Sequence, residues 1–95
     1  MNVKYTVKPT SRFRKDYKLM EKRRFDISLL DEIIVKLAQG IPLPASNRDH
    51  ALTGNYAGHR ECHITPDWLL VYRKSDDGGL LLILVRAASH SDLDF

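Results

Sequence analysis

The sequence predicts an α+β domain of order β-α-α-β-β-β, closing on a tail or short helical turn. Its sheet would be twisted and antiparallel-rich, with a helical hairpin on one face. Three observations carry this expectation. A short segment alternating at period two opens the chain, two consecutive segments keep helical spacing, and three apolar segments separated by turn residues follow. With 95 residues, one domain spanning 1–95 is expected.

Val3, Tyr5 and Val7 alternate over Asn2 to Val7 and predict the first strand, which Pro9 should end. Thr10 or Ser11 can cap the helix that follows. In it Phe13, Tyr17 and Met20 form one apolar stripe. Asp26 is a plausible N-cap for a second helix, in which Ile27, Leu30, Ile34 and Leu37 share a face. Gly40 and Pro42 stop that helix. The segment Pro42 to Gly58 is rich in Pro, Gly, Asn and Asp, and it reads as a long irregular connection. Long loops in a small domain are often functional. Three strands are then expected at His59 to Ile64, Trp68 to Arg73 and Leu80 to Arg86. Pro66-Asp67 and Asp76 to Gly79 supply the turns. Leu80 to Arg86 is the most apolar of the three, which predicts a central place in the sheet.

Composition narrows the function classes. The apolar fraction of 43% with 28% charged residues is that of a globular chain. The lone Cys62 allows no internal disulfide, which suits a reducing cytoplasm. No signal-peptide pattern is visible, and the apolar run Leu80 to Val85 is too short to span a bilayer. Of the formal charge of +3, the basic side is concentrated in Arg12, Arg14, Lys15, Lys18, Lys22, Arg23 and Arg24. Such a cluster attracts polyanions at long range, although a charge run is more commonly a solvated helix face.

Strand parity places Glu61 and His63 on one face and Arg60 and Cys62 on the other. An antiparallel sheet can gather His50, Glu61, His63, Asp67 and His90 around one concavity. RNA cleavage needs a set of this kind: a base to take the ribose 2′-OH proton and an acid to protonate the departing 5′-oxygen. Arginine can stabilise the phosphorane, and Arg60 and Arg86 lie nearby in sequence. Each residue also has a plainer reading. His63 suits a half-buried strand imidazole, Trp68 a core position, and Arg60 and Glu61 surface ion pairs. Metal-binding spacings such as the paired-histidine zinc helix, the Cys-x-x-Cys pair and the calcium loop are missing from the sequence.

Three blocks then resemble the YafQ branch of the RelE toxin superfamily. They are Asp49-His50-Ala51-Leu52-x-Gly54, Gly58-His59-Arg60-Glu61-Cys62-His63-Ile64-x-Pro66-Asp67-Trp68 through Tyr72, and Arg86-x-x-Ser89-His90-Ser91-x-Leu93. The likeness covers nearly the whole chain, and the middle block is specific. It implies a RelE-like fold and a metal-independent endoribonuclease, with no cofactor, that enters the ribosomal A site and cuts translated messenger RNA. It further implies a neutralising antitoxin of the ribbon-helix-helix kind, and operator DNA bound only through the toxin–antitoxin complex.

By position, the resemblance assigns acid–base roles to His50, His63, Asp67 and His90, with His90 protonating the 5′-oxygen. His50, His63 and Asp67 would share activation of the 2′-OH and alignment of the phosphate. Arg60, Glu61, Trp68, Arg86 and Phe95 are the expected substrate-contacting residues. Two positions depart from the family pattern: Glu61 stands where relatives often carry Asp, and Asp94 displaces the terminal aromatic to Phe95. The alternative on the same superfamily fold is a ParE-type toxin that poisons DNA gyrase by binding. Its members lack this histidine set.

Overall fold

The computed structural model describes residues 3–93. The order is β1 (Thr6–Pro9), α1 (Ser11–Lys22), α2 (Ile27–Ala38), β2 (His50–Ala51), β3 (Arg60–Thr65), β4 (Trp68–Ser75) and β5 (Leu81–Ser89). Short 3-10 turns at Ala45–Asn47 and Gly54–Tyr56 flank β2. The sheet runs β1-β5-β4-β3-β2, with β1 parallel to β5 and every other pair antiparallel. The expected α+β class and helical hairpin are therefore present.

Capping accounts for the hairpin. Thr10 accepts from the Phe13 amide at 3.1 Å and donates its own hydroxyl to the Val85 carbonyl at 2.9 Å, so one side chain starts α1 and ties it to β5. Both helices end in the same paired motif. Phe25 N–H donates to Met20 O and Arg24 N–H to Glu21 O after α1; Ile41 N–H donates to Lys36 O and Gly40 N–H to Leu37 O after α2. The motif needs a left-handed residue, supplied by Arg24 (φ 59°) and by Gly40 (φ 74°). At Gly40 a Cβ would also come within 2.9 Å of the exposed Lys4 side chain, which would have to move aside, so the left-handed backbone is the main reason glycine is favoured there.

Phe13 and Met20 of α1 and Leu30, Ile33, Leu37 and Ala38 of α2 are buried in one core with Cys62, Trp68 to Tyr72, Leu82, Leu84, Ala87 and Ala88. Asp26 precedes α2 without a side-chain capping bond.

Several boundaries differ from expectation. Pro9 lies inside β1, which pairs only with β5 and so tolerates a residue without an N–H. The most apolar strand, β5, is interior, but β4 is the middle of the five; residues 68–72 of β4 are all buried. The tail forms a turn in which Leu93 N–H and Asp92 N–H both donate to Ser89 O, with Leu93 buried. Among the described residues no helix is long and apolar enough to cross a membrane.

Candidate active site

Three imidazoles stand in a row. The His50 and His63 ring centroids are 6.4 Å apart, and those of His63 and His90 are 6.3 Å apart. Each comes from a different piece of chain. His50 lies on β2 and pairs in register with Glu61 of β3. His63 lies two residues along β3 on the same face. His90 follows β5, where its N–H donates to the Asp67 carbonyl at 3.2 Å, bringing the exposed Asp67 turn beside it. The three imidazoles are thus brought into one row, and the Asp67 turn is joined to it through the backbone of His90.

Two of the rings are oriented by backbone. His50 Nδ1 lies 2.7 Å from the Arg48 carbonyl, and His63 Nδ1 lies 3.3 Å from the Pro66 carbonyl. A carbonyl only accepts, so each Nδ1 carries the proton, which at His63 leaves Nε2 for chemistry. His50 Nε2 lies 3.4 Å from Glu61 Oε1. Glu61 is only 4% exposed, and its Oε2 has no hydrogen-bond partner in the protein.

The chain just before His50 is tied down at two points. Asn47 Nδ2 donates to the His63 carbonyl at 2.7 Å. Asp49 accepts from the Tyr72 hydroxyl at 2.7 Å and from Arg60 Nε at 3.2 Å. The sequence reading missed Asn47, Asp49 and Tyr72 as site-building residues. Asn47 and Asp49 belong to a cluster of Asn and Asp in an irregular loop, a pattern that serves ordinary turns equally well, and Tyr72 lies among the apolar residues of β4.

Cys62 is fully buried, and its thiol is pushed up from 9.0 to about 12 by burial first and then by Asp49 and Glu61. Burial, and next the bond to Asp49, also raises the Tyr72 phenol above 10.0. In both cases the folded state holds a proton that the unfolded chain releases sooner. Stability is therefore fully present below pH 9.0 and falls as pH rises through the unfolded values of 9.0 and 10.0. Urea midpoints should decline in that alkaline window, and less steeply in the Cys62→Ala protein.

The expected substrate contacts fare differently. Trp68 is 3% exposed and packs edge-on against Phe25 at 5.0 Å, so its ring serves the core and presents no face to a base. Arg86 is clamped by Asp16: Nε donates to Oδ2 at 2.8 Å, a terminal guanidinium nitrogen donates to Oδ1 at 3.2 Å, and the Ala87 amide also donates to Oδ2. That charge is neutralised within the fold, as is much of the charge on Arg60 by Asp49. Glu61 lies beneath His50 rather than at the surface. Phe95 lies outside the described residues. His59 is half-buried and edge-on to Tyr56.

A family model described as a bacterial toxin of type II toxin–antitoxin systems, YafQ, matches residues 5–94. The mRNA interferase toxin YafQ of Escherichia coli K12 is 36% identical over 85 residues, covering 88% of this chain and 89% of that protein. The E. coli DinJ–YafQ toxin–antitoxin complex contains a chain with a TM-score of 0.86 and 33% identity, covering 98% of this chain and all of that one. A metal-bound toxin from Helicobacter pylori has a TM-score of 0.87 and 40% identity, covering 95% of this chain and 99% of that one. Among the described residues here, no group of three or more His, Cys, Asp or Glu is arranged to hold a metal ion.

Proposed function

The chain belongs to the YafQ family of toxins from bacterial type II toxin–antitoxin systems, and on that premise we propose that it cuts translated messenger RNA by acid–base chemistry at His50, His63, Asp67 and His90. The row of three imidazoles, with Asp67 hinged to the last of them, is the observation that carries this reading.

In the proposed reaction the base takes the 2′-OH proton, the 2′-oxygen attacks phosphorus, and the P–O5′ bond breaks as an acid protonates the 5′-oxygen. The products are a 2′,3′-cyclic phosphate and a free 5′-hydroxyl. His63 offers Nε2 on the attacking side, and His50 and Asp67 share in aligning the 2′-OH and the phosphate. His90 delivers the proton to the leaving oxygen. The Glu61 carboxylate, 3.4 Å from His50 Nε2, holds that ring in place beside the phosphate.

The ribosome is the proposed setting, because a set of weak acids and bases gains most when the RNA is held in a reactive geometry. Arg12, Arg14, Lys15, Lys18, Lys22, Arg23 and Arg24 are all exposed along and just beyond α1, and we assign them to ribosomal RNA phosphates. Binding measured by sedimentation should weaken steeply with salt, with a log–log slope on the order of −0.7 to −0.9 per phosphate contacted. A flat response would return this face to simple solvation.

An antitoxin partner is proposed from the E. coli complex, and the ribbon-helix-helix type and operator binding through the complex follow from the family resemblance. Arrested growth on expression, relieved by the co-expressed antitoxin and lost with His90→Ala, is the expected cellular result. Growth arrest that persists with a well-folded His90→Ala protein would remove the catalytic reading and favour the gyrase-binding one.

A further inference from the structure

The 3-10 turn at Ala45–Asn47 and the turn between β3 and β4 enclose a cavity of about 400 Å³. Ser46, Asn47 and Arg48 line one side; His63, Ile64, Thr65 and Pro66 line the other. The chemistry assigned above uses His63 and leaves the rest of this cavity without a role. Its volume lies within the range of small-ligand sites.

Its position comes first. The cavity shares the His63 side chain with the imidazole row, so it begins where the scissile phosphate would lie. A nucleotide flanking that phosphate is the part of the substrate within reach.

Its lining fits a base. Ser46 and Thr65 bring hydroxyls, Asn47 an amide, and Arg48 a guanidinium. Single-stranded RNA is read by hydrogen bonds of this kind to splayed-out bases, and by stacking on histidine rings and guanidinium planes. Asn47 is held in one orientation because its Nδ2 donates to the His63 carbonyl. Its Oδ1 is therefore an acceptor with a set direction.

Arg48 ends the 3-10 turn in a left-handed conformation, with φ 48° and ψ 45°, as Arg24 does after α1. The Arg48 carbonyl accepts from His50 Nδ1. Asn47 and Arg48 thus connect the cavity wall to two of the three imidazoles.

We propose that this cavity is a specificity subsite that receives an unpaired nucleobase of the message next to the cleaved phosphate. The inference rests on the RNA-cutting reading and deepens it by naming where sequence preference arises.

The test is the spectrum of cut sites over a transcript carrying every sense codon in frame, translated in the presence of the purified protein. Two variants are compared with the native chain. Arg48→Gly keeps the left-handed backbone and removes the guanidinium, whereas the Ser46→Ala, Thr65→Ala double variant removes a hydroxyl from each side. The readout is the ratio of cutting between codons, which a uniform loss of activity does not move. That ratio should change by about tenfold at the preferred codons, the discrimination that one good contact to a base edge provides. An unchanged ratio in both variants would overturn the proposal. So would an unchanged ratio with a weakened grip on the antitoxin, which would give the cavity to the partner protein. If the native chain cuts nothing, the RNA-cutting reading falls, whereas native cutting with unaltered variant spectra removes the subsite alone.

Discussion

His90→Ala should lose about 10²–10⁴-fold in the rate of message cleavage, the usual contribution of a positioned general acid, while its urea midpoint stays close to that of the native chain. The stability half of this expectation follows from where His90 sits. Its side chain is exposed, and its structural bond to Asp67 is made by the backbone amide, which alanine keeps. His63→Ala should lose a comparable factor for the attacking half of the reaction. Its backbone carbonyl, the anchor for Asn47, also survives the substitution. His50→Ala differs, because it removes the imidazole whose Nε2 lies 3.4 Å from the buried Glu61 carboxylate. That variant should lose both activity and some stability, and Glu61→Gln should restore part of the stability without restoring cleavage. Full activity in a well-folded His90→Ala protein would show that the leaving oxygen takes its proton from elsewhere.

Asp16→Ala should cost about 3–5 kcal/mol of folding stability, the range for removing one partner of a buried ion pair. Asp16 is 6% exposed and accepts three hydrogen bonds, two from Arg86 and one from the Ala87 amide. Without it a largely buried guanidinium and a buried backbone N–H are left unpaired. For a domain of this size each kcal/mol lowers Tm by about 4–8 °C, so the loss is readable by calorimetry. The pair also joins α1 to the strand that leads into His90. Replacing both members, as in Asp16→Leu with Arg86→Met, should recover much of the stability, because no charge is then stranded. Cleavage by such a double variant would show that Arg86 acts through the fold and not on the phosphate. A fall of less than about 1 kcal/mol for Asp16→Ala would mean that Arg86 finds water instead, as surface pairs do.

Residues that obey a simple period were legible in the sequence. The stripe of Phe13, Tyr17 and Met20 and that of Leu30, Ile34 and Leu37 announced the helical hairpin, and the turn at Pro66-Asp67 announced the β3–β4 connection. Parity along β3 correctly put Glu61 and His63 on one face. The acid–base set came from a resemblance in spaced motifs, and the geometry brings its three histidine rings into one row.

The remainder was hidden for physical reasons. β2 has two residues, too few to show a period, and exists because His50 and Ala51 pair with Glu61 and Arg60. The β4–β5 register shifts between Val71 and Tyr72, and a shift of this kind defeats any parity argument for Arg86. Asp16 was masked by the basic residues around it. Its signal was present all the same: it stands three residues after Phe13 and four before Met20, a carboxylate at a core position of an apolar stripe. Arg86 is the matching charge near the end of an apolar strand. Trp68 was drawn toward the site by its motif neighbours, while its own hydropathy pointed to the core where it packs.

The decisive measurement is a map of message 5′ ends in a translating extract given the purified protein, run beside the His90→Ala protein. Discrete in-frame cuts made by the native chain, and absent with His90→Ala, are the expected result. No cuts by a native chain that still arrests growth would contradict the nuclease reading, and gyrase-linked DNA breaks in the same cells would identify a toxin that acts by binding alone.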